Sequence, residues 1–224
     1  NMAISGETID YGPCAFMDVY DPKTVFSSID KFGRYAFSNQ PPITKWNLAR
    51  FAECLIPLIH KDENEAIKIA SEVIDNFQNI YEEKWLNMMR DKLGLFGKDQ
   101  NDQKLINDLL SWMEINNADY TNTFCNLMNV NIEDKKVYED QKFINWVKIW
   151  EKRVLMNNNL KEKSLDLMRN TNPTVIPRNH KVEEALNAAN EDNIEVINKL
   201  LNVLSKPYSN QKNIENYQSL STDK

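Results

Sequence analysis

The sequence predicts a mainly helical protein, and three observations support that fold class. Only 5 of the 224 residues are glycine, too few for many tight hairpins or for a glycine-rich phosphate loop. Apolar residues recur every three or four positions through most of the chain, which is the period of an amphipathic helix. Residues 1–40 differ, because turn residues separate short apolar stretches there, and this pattern indicates a short β-hairpin followed by a long ordered loop.

Seven helical stretches follow, and the predicted ranges are 43–56, 64–92, 103–115, 120–128, 139–156, 180–190 and 194–204. Pro57 is expected to kink or end the first of them. The acidic run 62–65 indicates the start of the second helix, where negative charge favours the helix dipole, and Asp119 is the predicted N-cap of the fourth. We expect the five tryptophans to pack in the core rather than bind a cofactor.

These patterns divide the chain into three parts. Residues 1–40 form the hairpin and loop, residues 41–208 the helical body, and residues 209–224 a polar, asparagine-rich tail that is expected to fray. The chain begins at Asn1 rather than at Met, which leads us to expect a piece of a longer protein.

Composition excludes several classes of function. The net charge of −6 and the pI near 5.1 argue against nucleic-acid binding, which requires a basic face. The longest apolar run, 54–59, is too short to cross a bilayer, and no signal peptide opens the chain. The three widely spaced cysteines fit a reducing cytoplasm better than a disulfide framework, and no Cys/His cluster has the spacing of a zinc site.

The strongest candidates for chemistry are Asn1 and Asp10. An amide oxygen and a carboxylate are ligands that Mg²⁺ accepts, usually one or two from the protein with the rest from water and phosphate. Asp10-Tyr11-Gly12 has the form of the Asp-Phe-Gly motif, whose Asp holds Mg²⁺ against ATP phosphates. A hairpin between the two residues would bring both oxygens together. Taken alone, a tripeptide of this kind is more often a simple turn than a metal site.

The flanking sequence makes the comparison more specific. The first 22 residues read NMAISGETIDYGPCAFMDVYDP, and further distinctive stretches lie at 33–41, 46–50, 118–124, 172–179 and 200–208. Together they closely resemble the bacterial, YdiU-type branch of the selenoprotein O family. The resemblance covers nearly the whole chain and is most specific in the first forty residues.

The resemblance implies the C-terminal lobe of a protein-kinase-like fold that transfers AMP from ATP to Ser, Thr or Tyr hydroxyls of proteins. It implies that Asn1 and Asp10 are ligands of Mg²⁺ (or alternatively Mn²⁺) and that Asp10 also contacts ATP. The family's catalytic Asp immediately precedes Asn1, so no catalytic residue is assigned in this chain. The implied partners are ATP, the protein substrates and the missing N-terminal half, without which the fragment is expected to be inactive.

Two alternatives remain open from the sequence. One is a phosphotransferase of the kinase type, and the other is a helical interaction module without catalysis. Arg34, Arg50 and Arg178 are further candidates, and either of the last two is placed to brace the loop through bidentate bonds to a carboxylate such as Asp18 or Asp21. A purely structural role for these arginines is an equal alternative.

Overall fold

The computed structural model describes residues 2–7, 15–132, 135–156 and 161–221. Within these ranges there is no strand, only an isolated antiparallel bridge between Val19 and Asp119. Short 3-10 helices lie at Phe37–Asn39 and Lys136–Glu139. The α-helices are α1 (Gln40–Ile59), α2 (Glu63–Asp75), α3 (Phe77–Lys92), α4 (Asp102–Asn116), α5 (Tyr120–Leu127), α6 (Gln141–Val154), α7 (Lys161–Thr171), α8 (Asn179–Asn190), α9 (Glu195–Leu204) and α10 (Glu215–Gln218).

The mainly helical class is confirmed, whereas the N-terminal hairpin is not. Residues 2–7 form a turn without a strand, in which the Gly6 N–H donates to the Ala3 carbonyl oxygen at 3.1 Å. The other residues of the predicted hairpin, 1 and 8–14, lie outside the described ranges.

Aspartate N-caps fix the starts of three helices. Asp62 accepts the N–H of Glu65 at 3.1 Å, and Asp119 accepts the N–H of Asn122 at 2.6 Å. Asp140 accepts the N–H groups of the first residues of α6 in the same way. Each carboxylate satisfies a backbone donor that has no partner within the helix. The predicted start at the acidic run and the predicted cap at Asp119 are therefore confirmed.

Several predicted bounds are wrong, each for a local reason. The stretch 64–92 breaks at Asn76, which is the C-cap of α2. Pro57 lies inside α1, which ends two residues later at Ile59 because the proline occupies the last turn. The sequence reading also missed α7 and α10.

The tail does not fray as expected, at least as far as residue 221. Ile214 is buried with Val175 and Val203 in a small apolar cluster, and Tyr217 packs against it. Gln218 is also buried. Two apolar side chains spaced three residues apart therefore hold an otherwise polar segment against the protein.

Internal contacts divide the chain into two compact units. The first takes its described residues from 1–15 and 22–85, the second from 16–21 and 86–224. In the described part of the first unit the only buried hydrophobic residues are Ala36 and Ala66. Although α1 is twenty residues long, it contains no buried residue. The first unit therefore has almost no core of its own.

The second unit has an aromatic core. Trp146 and Trp150 stack with their ring centres 6.3 Å apart, and Phe143 packs against both Trp112 and Trp146. Each buried indole N–H has an acceptor: Trp146 donates to the Leu105 carbonyl oxygen and Trp150 to that of Leu93, both at 2.8 Å. The expected packing role is confirmed for these tryptophans. None of the helices described here combines the length and apolar character needed to cross a membrane.

Candidate functional site

The segment 16–20 follows the stretch that contains Asp10, and it lies in the second unit alongside the start of α5. The Tyr120 N–H donates to the Asp18 carbonyl oxygen, and the Tyr20 N–H donates to the Ala118 carbonyl oxygen, both at 2.9 Å. The Tyr20 ring also stacks on that of Tyr120 at 5.7 Å. Backbone and aromatic contacts therefore fix this extended segment to the helix start.

Asn179, the first residue of α8, holds the other end of segment 16–20. Its side-chain amide donates to the Phe16 carbonyl oxygen at 3.0 Å, and its amide oxygen accepts the Phe16 N–H at 3.3 Å. One side chain thus makes both hydrogen bonds of a strand neighbour, which keeps the backbone at Phe16 extended.

Arg178 connects this segment to the helical body. Its Nη1 donates to the Asp18 carboxylate at 2.8 Å and to the Asp119 carboxylate at 2.6 Å. The arginine is 1% exposed, so both bonds form in a medium where charge-assisted hydrogen bonds are strong. Arg178 thus contacts Asp18, one of the two carboxylates predicted for it, but through a single nitrogen rather than as a bidentate pair. Arg50 instead pairs with Glu53 on its own helix.

Asp119 makes two kinds of contact through its carboxylate, since it caps α5 and also binds Arg178. Burial raises the pKa of its carboxyl, while the charge and hydrogen bond of Arg178 lower it in part. Burial also opposes the charge of Arg178, but the two carboxylates outweigh that effect and raise the arginine pKa above its ordinary value. The guanidinium is therefore a permanent cation, and two separate parts of the chain share it.

The two predicted metal ligands, Asn1 and Asp10, lie outside the described residues. In the part of the chain that is described, no group of three or more His, Cys, Asp or Glu side chains is placed to hold a metal ion. The assignment of Asn1 and Asp10 to Mg²⁺ and of Asp10 to ATP therefore stays a prediction.

Arg34 and Trp46 form a separate surface feature of the first unit. The Arg34 guanidinium lies 4.8 Å from the centre of the Trp46 ring, and that of Arg50 lies 5.4 Å from it. Trp46 is 48% exposed, so the expectation that it packs in a core is wrong. Two cations on one indole form a cation–π arrangement, worth about 0.5–1 kcal/mol for each contact at an exposed site.

A groove lies between α1 and α2 in the first unit, with a cavity volume of about 890 Å³. Small and branched apolar side chains line it: Ala49, Ala52, Ile56, Ile67, Ala70 and Ile74. Glu53, Glu63, Asp75 and Lys61 also line it, so its Asp, Glu and Lys side chains are mostly acidic. The groove therefore combines an apolar lining with acidic side chains, and an apolar surface of this kind is typical of a docking site.

Asp102 is the centre of a buried ion cluster in the second unit, which sequence analysis did not predict. The Nε of Arg90 donates to its carboxylate at 2.6 Å, and the Nε of Arg153 does so at 2.7 Å. Arg153 also donates to the carbonyl oxygens of Phe96 and Gly97. These bonds join the start of α4 to α6 and to the loop before α4, so the cluster supports the helical body rather than a reaction.

Lys92 is a second buried charge that sequence reasoning missed. Its ammonium lies 4.2 Å from the centre of the Phe124 ring and 5.2 Å from that of Tyr120. The residue is 9% exposed, and burial lowers the pKa of this amine to about 8. Aromatic faces compensate the ammonium less well than water does, so the charged form is held at a cost.

Replacing Lys92 by methionine is expected to stabilise the chain at pH 7 by on the order of 1–3 kcal/mol, because the variant no longer buries an ammonium. The pKa falls from 10.5 to about 8 on folding, so the native chain gains stability as the pH rises between those values. The advantage of the variant should therefore shrink by pH 10.5. Urea unfolding at both pH values measures this, and Lys104→Met, on an exposed residue, is the control. A destabilised Lys92→Met at pH 7 would contradict the expectation.

Comparisons with known proteins place these features in a family. Residues 1–205 match the sequence model of the family described as "Protein adenylyltransferase SelO". A relative from Pelagibacter ubique, described as "Protein nucleotidyltransferase YdiU", is 62% identical over 93% of this chain and 43% of its own length. A relative of the same description from Clostridium botulinum is 55% identical over 98% of this chain and 45% of its own length.

A third relative with that description, from Nitrosococcus oceani, is 51% identical over 95% of this chain and 43% of its own length. The chain thus spans less than half the length of the curated relatives it matches. The matched range includes Asn1, Asp10, segment 16–20 and Arg178.

Proposed function

The chain belongs to the SelO family of protein adenylyltransferases, and from this premise we propose that the whole protein transfers AMP from ATP to Ser, Thr or Tyr hydroxyls of other proteins. The observation that carries the proposal is the family match, which runs from Asn1 through the Asp10-Tyr11-Gly12 motif to residue 205. The helical body is consistent with the C-terminal lobe of a kinase-like fold, which we propose for residues 1–224.

The proposed reaction is a displacement at the α-phosphorus of ATP. A substrate hydroxyl oxygen forms a bond to that phosphorus, the bond to the oxygen that bridges the β-phosphate breaks, and pyrophosphate leaves. The hydroxyl proton goes to a base that is not among the residues assigned in this chain. Positioning and charge stabilisation supply most of the rate in reactions of this kind.

Asn1 and Asp10 are the proposed holders of Mg²⁺, with Mn²⁺ as the alternative ion. Their donor atoms, an amide oxygen and a carboxylate, fit a hard cation that takes few protein ligands. The bound ion would neutralise charge on the phosphate oxygens. Asp10 is additionally proposed to contact ATP through this ion.

The described residues support this site from its C-terminal side. Segment 16–20 begins six residues after Asp10, and Asn179, Arg178 and the start of α5 hold it by hydrogen bonds. A chain segment that follows directly on a fixed one has fewer conformations available, so less entropy is lost when metal and nucleotide bind.

We further propose that the groove between α1 and α2 binds another part of the whole protein. This part corresponds to the portion of each relative that the present chain does not match. The first unit lacks a core, and α1 buries no residue. Of the groove-lining side chains, Ile67 is exposed, and Ile56 and Ile74 are only half-buried. A helix of twenty residues depends on tertiary packing for its stability, and this surface supplies the apolar area for it.

Ile56→Asp, on the groove lining, is expected to weaken co-purification of this chain with the unmatched part of the Pelagibacter ubique relative by at least about tenfold, because a buried carboxylate without a partner costs several kcal/mol. Leu58→Asp is the matched control, since Leu58 lies on the same helix and is 80% exposed. If Ile56→Asp co-purified as well as the native chain, the other part of the protein would not bind in this groove.

The proposed location is the cytoplasm. The two cysteines in the described ranges, Cys54 and Cys125, are free thiols, which fits a reducing compartment. Burial raises the pKa of the Cys125 thiol to about 12, so it is protonated and unreactive at neutral pH.

The test of function is the intact mass of an acceptor protein rich in Ser, Thr and Tyr. The acceptor is incubated with ATP, Mg²⁺, this chain and the unmatched part of the relative. Addition of AMP units supports the proposal, whereas addition of phosphate alone would identify a kinase-type phosphotransferase. No addition of either group, despite complex formation, would favour an interaction module. Efficient AMP transfer by residues 1–224 alone would contradict the need for the other part.

A further inference from the structure

The backbone carbonyl of Gln218 lies at the centre of the hydrogen-bond network around Arg178. The Nη2 of Arg178 donates to this oxygen at 2.8 Å, and the side-chain amide of Asn122 donates to it at 2.9 Å. Arg178 therefore has three partners at once: Asp18 from segment 16–20, Asp119 from the start of α5, and Gln218 from the tail. One residue near the C-terminus thus completes the site that fixes residues near the N-terminus.

The tail is held in this place by contacts at both of its ends. The Gln218 side-chain amide donates to the Thr174 carbonyl oxygen at 2.6 Å. The Thr174 N–H donates to the Pro207 carbonyl oxygen at 2.7 Å, and the Thr174 hydroxyl donates to the Ser209 backbone carbonyl oxygen at 2.9 Å. Residues 207–218 are therefore bound along the stretch that leads directly into Arg178.

Several buried polar atoms of this network already lack a hydrogen-bond partner. Among the described residues, the Arg178 Nε, the Asn122 amide oxygen and the Gln218 side-chain oxygen are buried without a partner. Buried polar networks that are only partly satisfied are sensitive to the loss of one more bond, because each donor left unpaired stays out of water. Removal of the Gln218 carbonyl would therefore free Arg178 to move and weaken its hold on Asp18.

We propose that residues 207–218 are a positioning element for segment 16–20, acting through the Gln218 carbonyl and the Arg178 guanidinium. Its relevance to AMP transfer rests on the proposed function, since segment 16–20 follows Asp10 along the chain. The element lies beyond the family match, which ends at residue 205. Gln218 and Arg178 are positioning residues in this account, because neither is assigned a contact with ATP, metal or acceptor.

Hydrogen exchange on this chain tests the proposal without reference to catalysis. The first variant ends at Asn213, which removes Gln218 but keeps the Pro207 and Ser209 contacts to Thr174. The amides of Tyr20 and Tyr120 should then exchange about tenfold faster or more, as expected for the loss of one supporting bond. Amides in the middle of α6 should be unchanged. Unchanged exchange at Tyr20 and Tyr120 would overturn the proposal.

A point variant covers the case in which the shortened chain does not fold. Gln218→Ala removes the bond to the Thr174 carbonyl oxygen and should loosen segment 16–20 in the same direction. Gln141→Ala is the matched control, because Gln141 is an exposed glutamine outside the tail whose side-chain amide donates to the Asn145 side chain instead. Equal effects of the two variants on Tyr20 exchange would also overturn the proposal.

A kinetic readout separates positioning from general support of the fold. In the complex that carries out AMP transfer, Gln218→Ala should lower kcat several-fold while the KM for the acceptor stays within about twofold of its native value. Faster exchange at Tyr20 without a change in kcat would overturn the positioning role. Because exchange is measured on this chain alone, a complex without any AMP transfer would refute the proposed function and leave the exchange test intact.

Discussion

Replacing Asp10 by alanine is expected to abolish metal-dependent AMP transfer by the assembled enzyme, with a loss of about 10²–10³-fold or more in kcat. Removal of a single group that stabilises transition-state charge commonly has an effect of this size, and here one of the two proposed metal ligands is lost. The helix content and the free energy of unfolding should change little. Transfer rates at saturating Mg²⁺, with circular dichroism on the same samples, measure both parts of the expectation.

Glu7→Ala is the matched control for Asp10→Ala. Glu7 is an exposed acidic residue in the same N-terminal stretch, and its carboxylate has no assigned role in metal binding. Its removal should leave kcat within about twofold, since an exposed charge without a role in metal binding contributes little. Unfolding of the Asp10 variant, or equal activity of the two variants, would instead support the reading of Asp10-Tyr11-Gly12 as a structural turn.

Replacing Asp102 by asparagine is expected to have the largest effect on stability, a loss of about 3–5 kcal/mol in the free energy of unfolding. The asparagine side chain has a similar shape but no charge, so the guanidinium groups of Arg90 and Arg153 would remain buried without a counter-ion. Urea unfolding at pH 7 measures the loss. Asp108→Asn, which breaks the exposed pair with Lys104, should cost less than about 1 kcal/mol.

The same substitution should change how stability depends on pH. Burial opposes ionisation of Asp102, but the hydrogen bonds from Arg153 and Arg90 outweigh it and lower the pKa of its carboxyl below 3.8. The carboxylate therefore contributes stability that is fully present above the unfolded-state pKa and is lost as the pH falls through the lower folded-state value. Below about pH 4, native stability should fall more steeply than that of Asp102→Asn. If the unfolding free energies of the native chain and of Asp102→Asn had the same pH dependence, the lowered pKa of Asp102 would be contradicted.

Local features of the fold followed from the sequence where neighbouring residues determine them. Asp62 and Asp119 were predicted correctly at helix starts, because a cap needs only a side chain and the N–H three residues on. The break at Asn76 was missed, since the apolar spacing continues across it. The tail was predicted to fray because its composition is polar, yet Ile214 and Tyr217 are enough to dock it.

For the candidate site, the sequence identified residues by their chemistry and the structure added their partners. Arg178 was named as a brace with two possible carboxylates, and the structure selected Asp18 and added Asp119 and the Gln218 carbonyl. Arg50, the other predicted brace, lies on the Trp46 ring instead, together with Arg34. Asn1 and Asp10 rest on sequence alone.

The sequence by itself determined the helical class, the cap at Asp119 and the family to which the chain belongs, because these depend on spacing within a few residues or on the order of residues along the chain. Only the tertiary structure decided which charges are buried and with which partners. Arg153 and Asp102 are 51 positions apart, and Arg178 and Asp18 are 160 apart. Such pairs form where packing excludes water and brings distant segments together, and no local pattern in the chain specifies them.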